Sequence, residues 1–260
     1  MGERSCLKGT PRGVRIRTCA WRGAVRCGVN LALGVGGLGE AKAALRRAAE
    51  LGYGAVQLDG AAAGMRAREM DRSARRDLAA MLRRLGLRVA GVDLWVPKEH
   101  FAKGAHTERA VGAVTGALEL AAEVVQLAGG SAVVAVSMGA GAAADVRAAL
   151  REAEERAGAR LADHHWPPSA GEGVGIDPAA MILAGAEPHA EVLRLSDVPV
   201  AARLSDLSPV GRVPAGRGKL DVMAYEVALV TRGFAAPVVL DLRGLLDADG
   251  EAAARAPGAR

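Results

Sequence analysis

Aromatic side chains are almost missing from this chain. Trp21, Trp95, Trp166, Tyr53, Tyr225, Phe101 and Phe234 are the full set in 260 residues, although half of all residues are hydrophobic. Much of that half is Ala and Val, so any core is built from small and branched aliphatics. Such a core suits a parallel sheet covered by Ala-rich helices. Cysteine is nearly as scarce. Cys6, Cys19 and Cys27 are odd in number, confined to the N-terminus and without CxxC spacing. They exclude a disulfide framework and a cysteine zinc site, and they fit a reducing cytoplasm. Long apolar runs are also wanting. The N-terminus has no apolar stretch of the roughly 7–15 residues a secretory signal needs, and no run elsewhere reads as long enough to span a membrane.

Excess charge is absent from most of the chain. Residues 1–26 carry seven basic side chains against Glu3 alone, a net of +6, which leaves 27 basic against 28 acidic residues in the remainder. The basic character is therefore a property of the N-terminus, and a nucleic-acid-binding face is not expected. Residues 1–22 are expected to form a disordered basic tail and residues 23–260 one domain.

What is present is alternation. Strand candidates are Val25–Leu31, Ala55–Asp59, Arg88–Leu94, Ala132–Met138, Arg160–Asp163, Val174–Asp177, Val200–Ser205 and Val238–Leu242. Helical patterns at Leu38–Leu51, Ser73–Leu85, Thr107–Leu127, Ala142–Ala157 and Asp221–Arg232 separate most of them, two closing on Gly52 and Gly86. Strand–helix alternation forces parallel pairing with right-handed crossovers. Eight such strands close into a (β/α)8 TIM barrel. Residues 164–173 contain Pro167-Pro168 and cannot hold a proper helix, so the barrel is expected to lack the helix between strands five and six. Few residues follow strand eight, so the last helix should be weak.

Three late strand candidates run into an acidic residue: Asp177, Asp206 and Asp241. An apolar run ending in Asp before a turn places its carboxylate at the C-terminal edge of the sheet, where α/β folds build their sites. Capping of a following helix is the plain alternative for any one of them. Nearer the N-terminus, Gly34-Val35-Gly36-Gly37-Leu38-Gly39 matches G-x-G-x-x-G, and Asp59 ends the next strand. That pattern would serve an NAD-dependent oxidoreductase, or be simply a flexible strand-to-helix loop.

Several segments, in this order and spacing, resemble the xylose isomerase-like TIM barrels, the sugar phosphate isomerase/epimerase family that includes the AP endonuclease family 2 relatives. They are Ala49–Asp59, Leu85-Gly86-Leu87 before Arg88–Val92, Gly175–Ala180, Ala202–Asp206, Gly211–Asp221 and Val238–Asp241. The resemblance covers roughly residues 24–244. It implies a divalent metal at the C-terminal mouth, held by Glu, Asp, His and Glu after strands five to eight. Asp177 matches the Asp, and Asp241 stands where the last Glu is expected. The first Glu position falls near His164, with Asp163 and His165 beside it. The expected His falls at or next to Arg203, and arginine cannot coordinate a metal.

The implied metal set for Mn²⁺, Mg²⁺ or Zn²⁺ is therefore His164, Asp177 and Asp241, with Asp206. Alternatively, Arg203 and Arg243 pair with Asp177 and Asp241 and take the ion's place. His164, Asp177 and Asp241 are also the implied catalytic residues for metal-assisted proton transfer on a small sugar or sugar phosphate. Arg203, Arg212, Arg217, Lys219 and His100 are the candidate substrate-binding residues. The loop bearing Arg212, Arg217 and Lys219 could hold a phosphate or be a solvated basic loop. Glu99-His100-Phe101 could reach substrate or lie on the surface beside Trp95. A non-catalytic or altered barrel that binds a ligand or partner stays open beside the enzyme.

Overall fold

The structure, a computed structural model, describes residues 29–102, 104–169, 173–245 and 247–255. The expected basic tail and the three cysteines lie outside the described residues.

Eight strands form one all-parallel sheet. They are β1 (Leu31–Gly34), β2 (Ala55–Asp59), β3 (Arg88–Asp93), β4 (Val133–Val136), β5 (Arg160–Asp163), β6 (Gly175–Ile176), β7 (Ala201–Leu204) and β10 (Val238–Leu240). Their spatial order is β5-β4-β3-β2-β1-β10-β7-β6, and a parallel bridge between Asp163 and Val174 joins the two ends. The result is a TIM barrel whose seam is thin. No helix occurs among the described residues between β5 and β6, as Pro167-Pro168 leads one to expect. β8 (Asp206–Ser208) and β9 (Gly211–Val213) form an antiparallel hairpin over the mouth, where the sequence reads only as a Gly-rich loop.

The covering helices are α1 (Ala41–Glu50), α2 (Arg72–Arg84), α3 (Thr107–Ala128), α4 (Ala144–Ala157), α5 (Pro178–Leu183), α6 (Pro188–Arg194), α7 (Val222–Thr231) and α8 (Asp247–Arg255). In α1 the buried residues are Ala44, Leu45 and Ala48, and in α2 they are Leu78, Ala79 and Leu82, the three-to-four spacing of one apolar stripe. Both helices end before a glycine at positive φ, Gly52 at 84° and Gly86 at 68°. α3 corrects one expectation, because it is long and apolar enough by length and composition to cross a membrane. Its Ala110, Val114, Ala117, Leu118, Ala121 and Val124 are buried at helical spacing and pack against the core.

The first strand also differs from expectation. β1 begins at Leu31 and takes in Gly34, because Leu31, Ala32 and Leu33 align with Val238, Val239 and Leu240 of β10. The first glycine of G-x-G-x-x-G therefore belongs to the barrel wall, where a Cβ would stand 3.0 Å from the Leu240 carbonyl oxygen. The donors at the start of α1 are already used, since the Glu40 carboxylate accepts from the N–H groups of Lys42 and Ala43. Asp59 accepts from the Ala61 N–H and closes a turn. A closed barrel has no strand-order switch point, and a carboxylate at the helix start opposes a pyrophosphate there. These features speak against a dinucleotide fingerprint at Gly34–Gly39.

Side chains alternate along each strand, and the inward set explains the interior. Ala32, Ala55 and Val239, with Ala90, form one small apolar cluster, and Val133, Ala162, Val200 and Ala201 form another. Two residues further along, the inward positions turn polar: Gln57, Arg203 and His164 are buried there. The barrel is thus apolar below and charged at its C-terminal end.

Candidate functional site at the barrel mouth

Three carboxylates and three guanidinium groups meet at that end. Asp93 ends β3, Asp177 follows β6 and Asp241 follows β10, while Arg203 lies on β7, Arg212 on β9 and Arg243 two residues after Asp241. Arg203 donates to Asp93 and, at 3.3 Å, to Asp177. Arg212 donates to Asp177 at 2.8 Å and to Asp241 at 2.8 Å. Arg243 donates to Asp241 at 2.7 Å and to Asp93 at 2.8 Å. Each acid touches two arginines and each arginine two acids, so the six side chains form a closed, alternating ring of zero formal net charge. Arg203 is 5 % and Asp241 4 % exposed, whereas Arg212 and Arg243 at 24 % and 32 % face the opening.

Local structure places each member. Asp177 caps α5, accepting from Ala179 N–H at 3.2 Å, and Ser205 Oγ donates to it at 2.6 Å. Tyr225 OH donates to the Arg203 carbonyl at 2.9 Å, tying α7 to β7 behind the ring. Burial pushes the Asp177 and Asp241 carboxyls up, but the arginines outweigh it. Arg203 and Arg212 hold Asp177 below the ordinary carboxylate value, and the Arg243 hydrogen bonds hold Asp241 further down. Burial likewise works against charge on Arg212 and Arg243, and the facing carboxylates reverse it. Asp177, Asp241, Arg212 and Arg243 are therefore charged at neutral pH.

His164 lies just below the ring, beside Gly175. A Cβ on Gly175 would stand 2.7 Å from the imidazole, so only glycine admits the ring there. Burial first, then Arg203, holds the His164 pKa well below the usual value, and the imidazole is neutral. Neither ring nitrogen has a hydrogen-bond partner among the described residues. Asp163 accepts from Met138 N–H and His165 N–H at 3.0 Å each and serves as a turn fastener.

Four candidates from the sequence stand elsewhere. Asp206 is buried, but both its oxygens are committed to backbone N–H groups: Leu207 and Leu220 on one, Gly216 and Gly218 on the other. It fastens the loop after β9 and is corrected from metal ligand to loop anchor. Arg217 and Lys219 are exposed on that loop, outside the ring. His100 stacks on His106, ring centroids 4.6 Å apart. The member that sequence reasoning missed is Asp93, although it ends its strand in the same fashion as Asp177.

A metal at this mouth needs oxygen or nitrogen donors facing a shared point. Among the described residues no group of three or more His, Cys, Asp or Glu side chains is so arranged. The oxygens of Asp177 and Asp241 face guanidinium groups instead. The residues present do not fit a divalent ion.

Beside the ring opens a cavity of about 300 Å³, lined among others by Asp93, Trp95, Lys98, Glu99, Arg203 and Arg243. Trp95 is 71 % exposed at its edge.

No protein-family model matches the sequence, and no curated protein matches it. Solved structures do match. A xylose isomerase domain protein from Planctomyces limnophilus is 17 % identical, with 82 % of this chain and 87 % of that one covered at a TM-score of 0.61. The chain shares the TIM-barrel fold of that xylose isomerase domain protein. An L-ribulose 3-epimerase is 17 % identical over 88 % of this chain and 92 % of its own, at a TM-score of 0.63. An IolI protein solved with a bound zinc atom is 14 % identical over 87 % and 94 %, at a TM-score of 0.65. At these identities the likeness is one of xylose isomerase-like fold.

Proposed function

We propose that this protein is a xylose isomerase-like barrel that binds a small sugar or sugar phosphate at its C-terminal mouth. The observation that carries this reading is the cavity beside the ring. Trp95 offers a flat apolar face for sugar C–H groups, Lys98 and Arg243 offer donors, and Asp93 and Glu99 offer acceptors. An aromatic face with mixed donors and acceptors suits a polyhydroxylated ligand. The arginines and Lys98 also suit a phosphate or carboxylate on that ligand. The epimerase among the similar structures supports the same substrate class by its name.

The test is calorimetric titration with a panel of free ketoses and aldoses and their monophosphates. At least one is expected to bind with millimolar affinity or better, and Trp95→Ala is expected to weaken it about tenfold, roughly 1.4 kcal/mol. A panel without a binder, or binding indifferent to Trp95→Ala, would sink this reading.

A catalytic reading is favoured by one further observation, the presence of two carboxylates, Asp93 and Glu99, on the same cavity. Movement of a proton between adjacent sugar carbons needs such groups within reach. Incubation in D₂O is expected to place deuterium beside the carbonyl of the bound sugar, with Glu99→Gln slowing exchange at least tenfold. Unchanged sugar in the NMR spectrum leaves a binding protein.

A further inference from the structure

We infer that the ring of Asp93, Arg203, Asp177, Arg212, Asp241 and Arg243 stands in place of a metal ion, so that the mouth is metal-independent and its carboxylates are a masked donor set. Six ion pairs close the ring, and they leave the three carboxylates neutralised without any added cation. Clustered carboxylates on one rim repel unless positive charge lies between them. Here three guanidinium groups supply that charge, and arginine neither coordinates a metal nor gives up its proton at accessible pH.

A divalent ion entering the mouth would have to break the pairing of at least two carboxylates while lying beside three fixed positive charges. The Arg203 side chain cannot swing aside, because it is buried and reaches Asp93 and Asp177 from opposite sides of the barrel. Arg212 is different. It arrives from the β8–β9 hairpin, with its side chain at the rim, and among the described residues it alone bridges Asp177 to Asp241. Two buried polar groups at the ring are unpaired: Arg203 Nε–H and both nitrogens of His164 have no partner among the described residues. His164, beside the ring, would be available to an ion shared with Asp177 only once Arg203 and Arg212 no longer occupy that carboxylate.

The test uses the full chain, stripped with chelator and titrated with Mn²⁺ in the absence of any sugar, so its outcome is read separately from sugar binding. The parent protein is expected to show no saturable Mn²⁺ binding tighter than about 100 μM. The double variant Arg203→His with Arg212→Ala places an imidazole next to the fully freed Asp177 and leaves Asp93 and Asp241 paired only to Arg243, and it is expected to bind Mn²⁺ at least tenfold more tightly than the parent. Circular dichroism melting confirms that it is folded. Should the double variant not fold, Arg212→Ala alone makes the same comparison, since its side chain lies at the rim and its loss unpairs one face each of Asp177 and Asp241. Tight Mn²⁺ binding by the parent that disappears in Asp177→Asn overturns the inference. So does a folded arginine variant that binds Mn²⁺ no better than the parent.

Discussion

Asp241 shows how much one residue at the mouth is asked to hold. It accepts from Arg243 Nε at 2.8 Å, from Arg243 Nη2 at 2.7 Å and from Arg212 Nη1 at 2.8 Å. Removing its charge leaves two arginines partly unpaired in a buried setting, a loss of about 3–5 kcal/mol for Asp241→Asn at neutral pH. The sign of the pH dependence follows from its depressed folded pKa. A carboxylate held below its unfolded value of about 3.9 adds stability above that pH and loses it as pH falls toward the folded pKa. The asparagine variant has no such stability to lose. The gap in melting temperature between parent and variant is therefore expected to narrow steadily below about pH 4. A gap of constant size down to pH 2 would show that the ring does not titrate as its geometry requires.

Among the elements, the β8–β9 hairpin decides whether the ring can close. It carries Arg212, and its neighbouring loop is held by the four N–H groups that Asp206 accepts. Gly218 is required there because a Cβ would stand 2.5 Å from Asp206 Oδ1. Asp206→Asn exchanges an acceptor-only group for an amide and leaves one side of the loop unsatisfied, a loss of about 2–3 kcal/mol. Hydrogen exchange measured by mass spectrometry is expected to speed up at Gly216, Gly218 and Leu220 while β1, β2 and β10 keep their protection. Uniform loss of protection across the barrel would instead make Asp206 a global stability residue. Both α5 and α6 are short, and both begin with proline at the first helical position, Pro178 and Pro188, and so start where no N–H partner is needed.

Taken as one molecule, the barrel pairs a plain construction with an unusual mouth. Its lower interior is filled by Ala and Val from alternating strands, which need no aromatic side chains. Its outer layer buries Leu, Val and Ala against the helices, and Tyr53 docks α8 by donating to the Ala254 carbonyl at 2.9 Å. The ring draws its members from β3, β6, β7, β9 and the segment after β10, so it couples opposite walls of the barrel. Closure between β5 and β6 relies on few backbone contacts, among them Asp163 N–H to the Gly173 carbonyl at 2.8 Å. Ion pairing across the mouth thus links walls that the seam holds only lightly.

The alternation of eight strands with five of the helices, the lack of a helix before β6 among the described residues and the delivery of Asp177 and Asp241 to the C-terminal rim were legible in the chain, because periodicity, prolines and turn residues act locally, whereas α5, α6 and the β8–β9 hairpin were not. Pairing of Arg203 and Arg243 with those acids was legible only as one of two alternatives. The choice depended on contacts between residues far apart in sequence: Arg203 meets Asp93 across 110 positions and Arg243 meets it across 150. Asp93 and Asp206 illustrate the difference. Each is an acid at a strand end or just beyond one, and nothing nearby in sequence separates them. Inward register put Asp93 in the ring, and the backbone of a hairpin loop closed around Asp206. Which acid meets an arginine and which an amide is set by the curvature of a closed sheet, and that curvature exists only once all eight strands have paired.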